Sequence, residues 1–210
     1  TQDFGKIYSQ WKELGKDMPF ALCLGVDPAI TMVAGYPLPT GMNEGEMLGA
    51  WYGEPVEVVK CETTDLLVPA STEIVIEGFA SVDTLLQEGP MGEYGGYVWV
   101  GRHKQVPCFR VTAMTCRNHP IMPLCVAGVP TEENHTNWGV NIAAAIRHAL
   151  SKTDLPVKEC YIPMECAAHW VVVTVDRNRR TQDDDQLALE IGKAVFASRG
   201  GSYIPKVIVL

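Results

Sequence analysis

No stretch of this sequence approaches the roughly 18–20 apolar residues that a membrane-spanning helix needs. The N-terminal TQDFGKIYSQW has neither a basic n-region nor an apolar h-region, which excludes a secretory signal within it. A basic cluster is missing as well. Lys and Arg number 17 against 25 Asp and Glu, for a formal charge of −8. Such a chain is poorly suited to nucleic acid or to an anionic membrane surface. The seven cysteines include no C-x-x-C pair. Most of them sit in apolar runs, so the expectation is reduced, buried thiols in a cytoplasmic protein. Walker and dinucleotide glycine patterns are absent, and no internal repeat is present.

What is there is an ordinary globular composition, 47% hydrophobic and 20% charged over 210 residues. That length suits one domain or two small ones with a sizeable core. Phe4, Ile7, Tyr8, Trp11 and Leu14 recur at helical spacing before Gly15, and Phe20–Val26 reads as a short buried strand. Residues 34–42 are loop chemistry, and Glu44–Ala50 is a short helix stopped at Gly53. From 55 to 116 the pattern turns to short β runs with Gly and Pro punctuation, around 56–59, 73–78, 97–100 and 108–114. This predicts an antiparallel sheet or barrel. After residue 125 a helix over 137–150, a buried strand over 170–175, a helix over 186–198 and a strand over 206–210 suggest an α/β layer. Asp183–Asp185 suit the positive end of the second of these helices. The expected fold class is α+β, with a domain over 1–122 and another over 123–210. The missing initiator Met and the apolar ending KVIVL lead us to expect a piece of a longer polypeptide, truncated at both ends.

The segment Glu88–Gly89–Pro90–Met91–Gly92–Glu93–Tyr94–Gly95–Gly96–Tyr97 stands out. Two carboxylates bracket a glycine–proline turn, and glycine lets backbone approach a ligand closely. Aimed into one cavity, paired carboxylates split their pKa values, and one can then serve as a general acid. The same spacing also describes a solvated turn with two surface glutamates. Glu44 can bind a hard cation or cap its helix. His135 reads as a hydrogen-bonded structural histidine or as a catalyst, Asp3 as an N-cap, and Lys206 as a phosphate contact or a side chain lying along apolar surface. The cysteines show no general-base partner.

Taken together, several stretches resemble the UbiD family of prenylated-flavin-dependent decarboxylases. They are Ile7–Trp11 with Leu14–Lys16, Pro19–Leu22, Leu24–Pro28, Pro37–Pro39, Gly53–Val56, Val68–Ala70 with Glu73–Gly78, Glu88–Tyr97, Glu133–Thr136 and Pro205–Lys206. They run through the whole chain in the family's order. The resemblance implies a split β-barrel flavin-binding domain, present in part, followed by part of an α/β domain. It implies reversible, non-oxidative decarboxylation of an aromatic or α,β-unsaturated acid, with prenylated FMN carrying the hard chemistry. On this resemblance Glu93 is the proton donor, and Glu88 belongs to an ion-pair network with an Arg and Glu93. Glu44 helps hold manganese, Lys206 contacts the cofactor, and Ala34, Gly35 and Tyr36 line the flavin and potassium. The partners implied are a small carboxylic acid, a flavin prenyltransferase as cofactor source, and further copies of the full-length chain in a homo-oligomer. Asp3 stands where the family has a metal-binding His, and the network's Arg and a metal-binding Asn fall before Thr1. An accessory flavin-binding module without catalysis, or an inactive stable fragment, is the alternative. Trp138 falls at a substrate-facing position, where it would favour a small or planar ring; a core Trp is the other reading.

Overall fold

The computed structural model describes residues 2–39, 41–99, 105–125, 130–179 and 181–210. Residues 101–104, between the runs expected at 97–100 and 108–114, lie outside them. Spatially the chain divides into two compact units, each drawn from three stretches: 1–30, 48–91 and 99–124 in the first, 31–47, 92–98 and 125–210 in the second.

The first unit is built on a three-stranded antiparallel sheet in the order β1 (Met18–Leu24), β4 (Ile74–Gln87), β7 (Gln105–Cys116). Met18 pairs with Ala80 and Leu24 with Ile74; Ile74 pairs in turn with Cys116. Because side chains alternate across a strand, one face carries Ala21, Cys23 and Val75. These pack on Cys61, Leu66 and Val68 from the short hairpin of β2 (Val58–Lys60) and β3 (Leu67–Pro69). On the other face Leu22, Val111 and Met114 stay exposed. Helix α1 (Gln2–Glu13) docks at one end of the sheet, where the Tyr8 hydroxyl donates to the Ser81 carbonyl at 2.8 Å. There Phe20 meets Phe109 edge-on, with centroids 4.7 Å apart.

Strand β4 shifts register between Glu77 and Gly78, and the shift brings Gly78 against the backbone of β7. A Cβ at Gly78 would lie inside contact distance of the Arg110 carbonyl oxygen. Gly78→Ala is therefore expected to destabilise the unit by roughly 1–3 kcal/mol, read as a lowered urea midpoint with an unchanged m-value.

The second unit has a mixed sheet, order β10 (Lys206–Val209), β9 (Trp170–Val175), β8 (Val157–Tyr161). β9 and β10 are parallel, joined through α5 (Asp184–Ala197), as a parallel pair requires a crossover. β8 runs antiparallel to β9. Helix α4 (Glu133–Leu150) presents Ile142, Ile146 and Leu150, and α5 presents Leu187, Ile191 and Val195. Both stripes recur every fourth residue, as a buried helix face demands. They close over Val171 and Val173, and all but two of these eight side chains have no exposed surface. Asp183 caps α5, its side chain accepting from the Gln186 N–H at 3.0 Å.

Several elements differ from the sequence reading. Helix α2 (Pro28–Ala34) precedes the 34–42 loop, started by a proline whose fixed φ suits a first helical turn. β8 is an additional strand whose Lys158 and Glu159 are exposed. α4 begins at Glu133 rather than Asn137 because Glu132 caps it. The seven cysteines are free thiols, as expected, but only Cys61 is buried; Cys116 and Cys125 are exposed, the others half-buried. Among the described residues no helix is long and apolar enough to cross a membrane.

Candidate active site around the glutamate turn

Glu88 follows the end of β4, exposed, in the first unit, and the Gly89–Pro90 peptide after it is cis. The chain then forms a small hairpin from β5 (Met91–Gly92) and β6 (Val98–Trp99). The Glu93 N–H donates to the Tyr97 carbonyl at 2.8 Å, and the Gly96 N–H returns to the Glu93 carbonyl at 3.0 Å. Glu93 is thereby fixed at the base of a tight turn in the second unit, half-buried. No side-chain hydrogen bond or ion pair ties Glu88 or Glu93 to another described residue.

Tyr94 lies beside Glu93. Its ring stacks on His169 with centroids 5.8 Å apart and 15° between planes, and meets Trp138 edge-on at 5.3 Å. His135 is 5.9 Å away, and Trp138 in turn meets Tyr203 at 5.6 Å. Burial, and then the Glu93 negative charge, push the Tyr94 phenol up, so it stays protonated and neutral. Trp138 is half-buried, packed on the α4–α5 core as well as on Tyr94. Neither Tyr94 nor His169 was singled out in the sequence. Stacking of this kind comes from tertiary proximity and leaves no spacing signature.

His135 is almost fully buried and has a capping role. Its Nδ1 accepts from the Glu132 N–H at 2.9 Å, which leaves the proton of the neutral ring on Nε2. The Glu132 carboxylate accepts from the Asn134 N–H at 3.2 Å, completing the box. Burial works against that carboxylate, yet hydrogen bonds from Cys125 and Asn134 hold it below its ordinary range. Hydrogen bonding to Glu132 and Glu133 pushes the Cys125 thiol up to about 12. Cys125, Glu132 and Glu133 place ligand-type atoms within 4.8 Å of one another.

Glu44 opens α3 (Glu44–Tyr52), exposed. Capping there belongs to Asn43, whose side-chain oxygen accepts from the Gly45 N–H at 2.7 Å. The Glu44 carboxylate is left available to a hard cation. Ala34 ends α2, where helix carbonyls lack intrahelical partners, and Gly35 follows it; both are exposed, and Tyr36 is half-buried. Lys206 pairs with Trp170 across β10 and β9, and its Nζ sits 4.4 Å over the indole centroid, a cation–π contact. Ala34, Gly35, Tyr36, Glu44, Glu93 and Lys206 thus share the second unit although they come from three separate stretches of chain; Glu88 is in the first. The side chain of Asp3 lies outside the described residues.

Comparison with known proteins gives this arrangement a lineage. The family model described as the 3-octaprenyl-4-hydroxybenzoate carboxy-lyase Rift-related domain, UbiD, matches residues 1–130. The chain belongs to the UbiD family. It is 44% identical over 214 aligned residues to pyrrole-2-carboxylic acid decarboxylase of Pseudomonas aeruginosa, covering 100% of this chain and 43% of that protein. Against ferulic acid decarboxylase 1 of Saccharomyces cerevisiae the identity is 35%, covering 100% of this chain and 42% of the relative. The UbiD-class enzyme HmfF from Pelotomaculum thermopropionicum, solved in complex with prFMN, superposes with a TM-score of 0.83 at 27% identity. That match covers 96% of this chain and 45% of HmfF. This UbiD chain therefore spans less than half the length of its relatives. Its fold of mixed helices and sheets is that of UbiD enzymes, and HmfF has been solved with FMN as well as with prFMN.

Proposed function

We propose that the polypeptide carrying this chain catalyses the reversible, non-oxidative decarboxylation of an aromatic or α,β-unsaturated carboxylic acid. Glu93 delivers the proton to the carbon that carbon dioxide leaves. The observation that carries this reading is whole-chain identity of 44% to a decarboxylase of a heteroaromatic acid, joined to the fixing of Glu93 in a tight turn, half-buried, with its carboxylate unclaimed by any hydrogen bond or ion pair among the described residues. Prenylated FMN, when bound, supplies the electron sink for the breaking carbon–carbon bond. The chain's own residues do the rest. Glu93 holds a proton and returns it; by reversibility it takes the proton in the carboxylation direction. Tyr94 and Trp138 wall the turn with flat rings, which suits a small planar acid over a bulky one. Glu44 offers oxygen to manganese, the carbonyls of Ala34 and Gly35 where α2 ends suit potassium, and Lys206 and Tyr36 complete the cofactor's surroundings. Glu88 supports Glu93 through an Arg supplied by the rest of the polypeptide. The reading brings with it a flavin prenyltransferase as cofactor source, a homo-oligomer, and a cytoplasmic setting.

The test uses the full-length polypeptide produced with a flavin prenyltransferase. Pyrrole-2-carboxylate, ferulate, cinnamate, hydroxybenzoates and gallate are offered in deuterated water. Carbon dioxide release, or deuterium at the carbon that bore the carboxylate, is expected for at least one acid. Flavin bound with neither signal on any acid would replace the enzyme with a flavin-binding module.

A further inference from the structure

His169 lies at the centre of the turn that holds Glu93, touching it at three successive points. Its ring stacks under Tyr94. It meets Tyr97 edge-on, with centroids 6.2 Å apart and 84° between planes. Between them Gly95 comes so close that a Cβ there would sit 3.0 Å from His169 Cε1 and 3.0 Å from Tyr97 Cδ2 and Cε2. The glycine is thus the room into which the imidazole and the edge of the Tyr97 ring fit.

His169 is itself held firmly. Its N–H donates to the Cys166 carbonyl at 3.0 Å, and Nδ1 lies 3.2 Å from the same oxygen, which fixes the plane of the ring. The two residues before it, Ala167 and Ala168, are buried and have φ of 52° and 58°. Two consecutive non-glycine residues in the left-handed region are uncommon. Such strain persists where surrounding structure over-determines it, and it clusters at functional sites. The result of this turn is to lift His169 off the start of β9 to the underside of the hairpin.

We infer that His169 is a positioning residue for the decarboxylation: stacked on Tyr94, edge-on to Tyr97 and seated against Gly95, it sets where the Glu93 carboxylate stands. The inference rests on the role proposed for Glu93. His169 acts through the turn and needs no contact with substrate. An acid displaced by an ångström from the carbon it protonates can lose on the order of a hundredfold in rate, so a seat of this kind has a large lever.

The experiment uses the full-length, prenylated-FMN-loaded polypeptide and three variants, His169→Ala, Gly95→Ala and the double variant. With His169→Ala, kcat is expected to fall roughly 10–100-fold while KM moves less than about threefold. Amide hydrogen exchange at Glu93 and Gly96 should quicken by about tenfold or more as the turn loosens. Gly95→Ala removes no side chain, yet its methyl group presses on both the imidazole and the edge of the Tyr97 ring, so kcat should fall likewise. In the double variant the imidazole contact is relieved while the Tyr97 contact stays. Its kcat loss should therefore fall short of the product of the two single losses, because both substitutions act on the same seat. A general destabilisation would instead multiply them. Multiplied losses, an unchanged kcat in His169→Ala, or unaltered exchange at the two amides would each overturn the inference. Where His169→Ala fails to fold, kcat and exchange in Gly95→Ala decide. Should the parent decarboxylate no acid, exchange at Glu93 and Gly96 still decides the seat, and only the reading of Glu93 as proton donor falls.

Discussion

Replacing Glu93 with Gln is expected to reduce decarboxylation by the full-length protein about 10²–10⁴-fold, the usual contribution of a positioned general acid. Gln keeps the size of the side chain and the turn's backbone hydrogen bonds, which come from the Glu93 N–H and carbonyl rather than the carboxylate. What it loses is the transferable proton. Substrate affinity should change little, so the loss falls on kcat, and deuterium exchange at the reacting carbon should fall with it. Flavin content should stay at the parent level. Turnover within about twofold of the parent would remove Glu93 as the acid, and the nearby Tyr94 phenol, neutral and half-buried beside it, would be the group to examine next.

The second large effect is on stability. Glu77 is 1% exposed, on the covered face of β4. Its carboxylate accepts from the Glu62, Thr63 and Thr64 N–H groups at 2.9, 2.8 and 3.2 Å and from the Thr63 hydroxyl at 2.9 Å. Burial alone would raise its pKa, but those donors prevail and hold it below the ordinary carboxylate range. Glu77→Ala leaves three backbone donors without their acceptor. At about 1–3 kcal/mol for each such group left dry, with water reaching the exposed part of the loop, the loss should be on the order of 3 kcal/mol. A drop in Tm of roughly 10 °C or more is expected for a unit of this size. The pH dependence has a definite sign. The folded pKa is depressed, so the ionised group's contribution is complete above the unfolded value of about 4.3 and disappears as pH falls through the folded value. Parent and Glu77→Gln should therefore differ most near neutrality and converge in acid. A difference that is flat from pH 7 to pH 2 would show that the carboxylate charge is not what anchors the loop.

The fold was legible wherever one pattern dominated locally. Four valines after Trp170 read as a strand and are one. Residues 186–198 read as a helix, and its Leu187, Ile191 and Val195 bury as one face. Legibility ended where tertiary context decided. β8 offered no clean alternation, because it is an edge strand with Lys158 and Glu159 turned to water. β4 runs on through Leu85–Gln87, where pairing with β7 rather than burial defines the strand. The glutamate turn was visible from its glycines and carboxylates, and Glu44 from its place at a helix start. Glu77 had the same local look as any strand glutamate; only the loop folding back over it makes it an anchor. His169 was silent for a similar reason, since a lone histidine before an apolar strand carries no mark of the hairpin above it.

The interleaving of the two units has a consequence for biosynthesis. The chain passes from one unit to the other five times between residues 30 and 125. As the polypeptide leaves the ribosome, residues 31–47 and 92–98 emerge long before 125–210, the stretch that supplies nearly all of their unit's apolar interior. The nascent segments must wait unsatisfied for that final stretch, with loop-closure entropy still to be met. Holding chaperones, slow translation past residue 125, or cool growth should thus improve the yield of folded material.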